Sequence, residues 1–403
     1  MKLYNPKYEG ICTLSIFLMI PLSGLVTDVY LPSFPEMQKM LHTHAGGIQL
    51  TLTYFLISYG ISLLIAGSIV DSFGRYRIVL VALTVFLLSN LAIATVHNIH
   101  FIYLMRILQG ISAAFIVVGK RAFLVDIYSG RKLQHYTSML TIIWAMAPIT
   151  APFIGGYLQQ AFGWTANFYL LAGYSLICLL LELFFSGEAL RVRKPFDALN
   201  IRQSYQHVLG APDFSIGLLV LGFSYGMVMV FGMAAPFIVE QRFHFSAVTT
   251  GYCALLSGLG LMTGGILGKT LHNKPFFSKL VSAVAIQLVL SVIMYASSGY
   301  NPGIYVLMAF VLCLHIMSGF IYNIYFTYCL TRFPAHAGVA SGLTSGGCYL
   351  VTSLASMILI KTIKINGQEG LAVSYFIFAL LIALSLIVFV RSVKPSEIPT
   401  VSH

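Results

Sequence analysis

The chain has 403 residues, 58% of them hydrophobic and 9% charged, and carries a formal net charge of +11. A mean hydropathy of +0.87 excludes a soluble fold, which could not cover its surface with so few polar groups. The six cysteines, Cys12, Cys178, Cys253, Cys313, Cys329 and Cys348, form no close CxxC pair, so neither a disulfide framework nor a zinc site is indicated.

Taken in order, the apolar stretches predict twelve spans. The first, Gly10 to Tyr30, follows Lys2 and Lys7 and lacks a small-residue cleavage site, so it reads as a retained helix rather than a signal peptide. It is expected to stop near Pro32 and Pro35. Span two covers about Gly47 to Val70, span three runs from the Asp71 to Arg77 turn to about Val96, and spans four to six cover Phe101 to Gly119, Gln134 to Gln160 and Asn167 to Phe185. The longest polar segment follows, and then six more spans: Phe214 to Phe237, Ala247 to Gly268, Leu280 to Ser297, Ile304 to Tyr328, Gly338 to Ile360 and Leu371 to Val390. The expected fold class is therefore an all-α membrane protein of twelve transmembrane helices in two pseudo-symmetric six-helix bundles. Residues 1–186 and 214–403 form the bundles, and residues 187–213 form a cytoplasmic linker.

Basic residues fix the expected orientation. With alternate connections taken as cytoplasmic, 18 of the 23 Lys and Arg fall on that side, including Arg191, Lys194, Lys274 and Lys394. Only Lys39, Arg242, Lys361 and Lys364 fall opposite, and Arg106 is left inside a span. This asymmetry is the positive-inside rule, and it places both termini in the cytoplasm. The positive charge then reflects topology and not nucleic-acid binding.

Arg106 is the residue that most needs explaining. A guanidinium at membrane depth costs from ~3 to over ~10 kcal/mol, so it is expected to face a water-filled cavity or a carboxylate. Asp28 and Glu182 are the only acids that fall within apolar spans. Asp28 stands about 6 Å from the outer end of span one, and Arg106 about 8 Å from the outer end of span four. Their similar depth marks them as a proton-coupling pair, with Asp28 tipped between charge states by a mobile substrate. In the second half His315 precedes Gly319 by four residues, as Arg106 precedes Gly110. His315, with Tyr322 and Asn323, is expected to line a cavity suited to planar or amphipathic cargo. Gly155-Gly156 recurs as Gly346-Gly347, which supports a duplicated architecture. His42, His44, His97 and His100 cluster in outer connections without supporting ligands, so no metal site is assigned.

Three segments carry a family resemblance. Gly67-Ser-Ile-Val-Asp71-Ser-Phe-Gly74-Arg75, between spans two and three, resembles the GxxxDxxGR signature of the major facilitator superfamily. Gly67 would permit close helix contact, Gly74 a chain reversal, and Asp71 pairing with basic groups. Ser72 and Tyr76 stand where that family usually has basic residues. Arg106-Ile-Leu-Gln-Gly-Ile-Ser-Ala-Ala resembles its fourth-helix motif, whose arginine is associated with proton transfer. Ala147-Pro148-Ile-Thr-Ala-Pro152-Phe-Ile-Gly155-Gly156 resembles its fifth-helix antiporter motif, with alanines at 147 and 151 in place of glycines. Together with Leu25-Val-Thr-Asp-Val-Tyr-Leu-Pro-Ser-Phe-Pro35, it is similar to the bicyclomycin and chloramphenicol resistance branch of twelve-helix drug:proton antiporters.

The resemblance implies proton-coupled export of small amphipathic compounds by alternating access in a bacterial cytoplasmic (inner) membrane. The implied partners are a small-molecule substrate, protons and the lipid bilayer; no cofactor is implied, and the chain is expected to act as a monomer. Export of an endogenous metabolite or siderophore would use the same motifs. An intramembrane enzyme is disfavoured because no HExxH, GxSxG or paired acids occur within the spans. A passive channel is disfavoured because it needs neither a proton-carrying acid nor a two-bundle repeat.

Overall fold

The computed structural model describes residues 2–190, 192, 193, 195, 197–271, 275–300 and 303–392. Arg191, Lys194, Lys274 and Lys394, counted above among the cytoplasmic cations, lie outside the described residues. The chain divides into two compact units, Met1–Asp197 and Ala198–His403.

In the first unit, α1 (Glu9–Met19), α2 (Leu22–Asp28) and α3 (Phe34–Met40) make up one interrupted span. It is followed by α4 (Ala45–Phe73), α5 (Arg75–Thr95), α6 (Ile99–Ile127), α7 (Gly130–Phe162) and α8 (Thr165–Phe185). The first span departs from the expected single helix. It breaks at Pro21, which lacks the N–H that α1 would need to continue. Pro32 and Pro35 do not end it; each stands at the start of a new turn, where its missing N–H costs nothing. Apolar helix therefore runs on to Met40.

The second unit begins with α9 (Ala198–Leu209), a helix inside the segment read as a linker, which packs on α10 (Pro212–Phe237) and α14 (Ala337–Thr362). A single π turn, Ile238–Arg242, prolongs α10. The other elements are α11 (Ala247–Thr270), α12 (Phe276–Ser297), α13 (Ile304–Thr331) and α15 (Gln368–Ser392).

Eleven helical stretches among the described residues are long and apolar enough to cross a bilayer. The remaining long helix is α7, whose 33 residues include Arg131, Lys132, Gln134 and His135 near its start. It runs unbroken through Pro148 and Pro152.

Both units use the same internal pairing. α6 lies against α4 and α5, and α5 against α8; likewise α13 lies against α11 and α12, and α12 against α15. Glycines set the closest approaches. A Cβ added at Gly110 would strike Phe55 O and Ser58 of α4, and one at Gly319 would strike Leu261 O of α11. With hydrocarbon on both sides of a helix pair, such small-residue contacts provide the packing that the hydrophobic effect does not.

Candidate functional site

Arg106 is wholly buried, on the face of α6 that meets α4 and the first span. Its Nε donates to Thr51 O (3.3 Å), and Nη1 to Gln109 Oε1 (2.8 Å) and Val26 O (3.2 Å). Nη2 donates to Val26 O (3.3 Å) and to the Tyr30 hydroxyl (3.0 Å). The guanidinium also lies 4.4 Å from the Tyr30 ring and 4.7 Å from the Phe55 ring, which suits cation–π attraction.

All five hydrogen bonds end on neutral acceptors, and none of the described ion pairs joins Arg106 to Asp28. This corrects the expected charge pair. Arg106 grips residues 26 and 30, on either side of Asp28, and so holds the turn that carries the carboxylate. Asp28 itself is 4% exposed, and its Oδ2 has no hydrogen-bond partner.

The polar network extends through Gln109, whose Nε2 donates to Asn90 Oδ1 of α5 (3.0 Å). The second unit holds a neutral counterpart. Three residues after His315, Ser318 accepts from Gln287 Nε2 of α12 (3.0 Å), and Ser224 of α10 donates to Ser318 O (2.9 Å). Asn90 and Gln287 escaped the sequence reading. Each is a lone amide in an otherwise apolar run, and that was the available signal.

His315 does not stand on a wall. It is fully buried, with Nδ1 bonded to Ser257 Oγ (2.7 Å), Nε2 bonded to Tyr375 Oη (3.0 Å) and the ring edge-on to Phe231. Both nitrogens are occupied inside the bundle, so its assignment to the substrate cavity is replaced by a packing role. Tyr322 and Asn323 diverge, as neighbours on a helix must. Asn323 packs toward Gly265 and Gly268 of α11. Tyr322 joins a half-buried aromatic group with Phe326, stacked at 5.4 Å, and Tyr225, at 5.8 Å; Tyr349 meets Tyr225 edge-on. Tyr225 is the member that sequence reasoning missed.

The turn between α4 and α5 is built as its residues suggest, with one exception. Gly74 adopts φ +94°, which only glycine accepts easily. Arg75 bridges Asp71 (2.9 Å) and also pairs with Asp126 of α6. Gly67 is the exception: a Cβ there would meet nothing within 4 Å, so it serves no close contact in this structure. Glu188, which was not anticipated, accepts from Tyr76 N (3.3 Å) and so places an anion at the N-terminus of α5. Its backbone pairs with the start of the chain through Glu188 N to Lys2 O and Tyr4 N to Glu188 O. Nearby, Lys120 of α6 and Glu182 of α8 form a buried ion pair.

The small residues of α7 meet the first span of the same unit. A Cβ at Gly155 would overlap Val29 O, and Gly24 faces the Ala147 side chain. Pro152 and Gly156 are buried and Pro148 half-buried. α7 thus presses on the turn that carries Asp28 from one side, while Arg106 holds it from another. The outer histidines do not converge: His97 rests on Trp164 and His100 on Tyr103.

The sequence pattern of the Major Facilitator Superfamily matches residues 16–356. The chain is 28% identical over 397 residues to "Uncharacterized MFS-type transporter YdgK" of Bacillus subtilis (strain 168), covering 96% of this chain and 97% of the relative. It is 27% identical to "Bicyclomycin resistance protein homolog" of Haemophilus influenzae, over 72% of each chain. The crystal structure of a D-xylose-proton symporter superposes with a TM-score of 0.73 over 98% of this chain and all of the other, at 14% identity, a likeness of fold alone. An all-helical membrane fold, a Gly-Asp-Gly-Arg turn after the second span, a buried arginine in the fourth and a family match across most of the sequence agree: the chain belongs to the major facilitator superfamily and is a transporter with the twelve-helix fold of that family.

Proposed function

We propose that the chain is a proton-coupled exporter of small amphipathic compounds, an antiporter that opens its binding site to one side of the membrane at a time. The observation that carries this reading is Asp28, a carboxylate 4% exposed in a membrane span with one oxygen unpartnered. A buried carboxylate oxygen without a partner is costly. A proton relieves that cost, and so does a cargo molecule that brings positive charge or a hydrogen-bond donor. Competition between the two for one group couples their opposite movements.

The proline- and glycine-bearing α7 favours export over uptake, and the bicyclomycin-resistance relative favours a drug-like cargo. The Tyr225, Tyr322, Phe326 and Tyr349 group suits planar, amphipathic molecules by stacking. The distribution of basic residues supports a cytoplasmic location for both termini in a bacterial inner membrane, with a single chain carrying out the cycle.

The test is transport of a planar cationic antibiotic in proteoliposomes under an imposed pH gradient. Uphill movement that stops when the gradient is collapsed, and that Asp28→Asn abolishes, is expected. Flux that follows only the cargo's own gradient refutes antiport.

A further inference from the structure

We infer that the outer face of α12 and α15 holds a phospholipid, with one acyl chain in a groove between the two helices and an anionic headgroup on Arg391. The groove has a volume of about 380 Å³. Its floor is Val284 and Leu386, its walls are side chains of α12 and α15, and every lining residue is apolar except Arg391. Val281, Ile387 and Val390 on its rim are each about half exposed, as expected of side chains facing hydrocarbon.

Its length and its one charge identify the occupant. From Phe277 to Leu288 is 11 residues, about 16 Å along α12. That is about half the ~30 Å hydrocarbon core, the depth of one leaflet. Arg391 stands in the last turn of α15, at the end of the groove that Phe277 of α12 also lines. The groove therefore starts at headgroup level beside the Arg391 guanidinium and ends near mid-membrane. A second copy of the chain would present a helix about 10 Å across, too broad for a slot between two packed helices. A small apolar solute would have no use for the arginine. A lipid satisfies both ends, and Arg391 favours an anionic one, since a cation near the headgroups adds about fivefold to the affinity.

The full-length chain is reconstituted in nanodiscs of mixed phosphatidylcholine and phosphatidylglycerol. Mobility of spin-labelled forms of each lipid is then read, and lipids retained after gentle detergent release are weighed by native mass spectrometry. Wild type should immobilise phosphatidylglycerol about fivefold over phosphatidylcholine. Arg391→Gln should bring the two lipids to near parity while keeping a bound lipid. Ala285→Trp from one wall and Ile387→Trp from the other should each expel it. Val289→Trp, on α12 but outside the groove, should behave as wild type. Equal retention of the two lipids by wild type overturns the inference. So does an unchanged bound lipid in both groove-filling variants. A mass of two chains that Ala285→Trp reduces to one overturns it in favour of a dimer face.

Discussion

Arg106→Lys keeps the charge and removes the fork. The guanidinium makes five hydrogen bonds to four residues on three spans. An ammonium offers three donors from one atom, so at least two of the five contacts are lost. Interhelical hydrogen bonds in membranes average about 0.6 kcal/mol, which sets a floor near 1 kcal/mol for two. Bonds from a charged donor contribute ~1.5–3 kcal/mol each, and this donor is wholly buried, so the loss should lie nearer 3 kcal/mol. A shift of that size is over a hundredfold in a local equilibrium. The turn that carries Asp28 should loosen, the unfolding midpoint in detergent should fall, and gradient-driven transport should drop at least tenfold. Cation charge alone, without the fork, should rescue neither reading. A lysine variant with the wild-type midpoint and full transport would show that the grip on Val26 and Tyr30 has no bearing on the cycle.

Asp28→Asn nearly preserves volume, so the variant should fold yet fail to move cargo against a gradient; normal proton counter-flow in that variant would assign coupling to another group. Gly155→Ala drives a methyl into Val29 O, and overpacking of ~1–3 kcal/mol should lower both midpoint and transport; an unchanged midpoint would mean that α7 can withdraw without cost. Glu188→Gln keeps an acceptor at the N-terminus of α5 and should cost only ~0.3–1 kcal/mol in thermal unfolding, less than Glu188→Ala; the reverse order would reject the electrostatic account. His315→Gln should destabilise by ~1–3 kcal/mol and leave the pH profile of cargo binding intact, because both ring nitrogens are already bonded; a displaced profile would return the residue to the binding site.

The spans were legible because a bilayer permits little else: runs of about twenty apolar residues, cations sorted to one side, and glycines where helices touch. Arg106 stood out for the same reason, as a charge with nowhere ordinary to go. Its partners were not legible. Backbone carbonyls such as Val26 O and Thr51 O carry no residue-specific mark, so the sequence pointed to Asp28, the one acid at matching depth. Proline was misread at the end of the first span because its effect depends on its position in a turn. Pro21 interrupts a helix, whereas Pro32 and Pro35 begin one. His315 shows the limit of repeat symmetry: it shares a position with Arg106, but Ser257 and Tyr375 complete its bonding within the second unit.

The buried Lys120–Glu182 pair bears on how the protein is made. α6 enters the bilayer with a cation whose counter-charge lies 62 residues further along the chain. At ~5–20 residues per second, Glu182 is synthesised roughly 3 to 12 s after Lys120. During that interval the ammonium can be satisfied only by reaching for the headgroups, which holds α6 shallow or tilted. Arrival of α8 neutralises the charge and lets α6 settle against it. The first half should therefore become resistant to protease in one late step as α8 inserts, and ribosome-arrested chains that present α6 without Glu182 should leave the end of α6 open to cleavage by added protease.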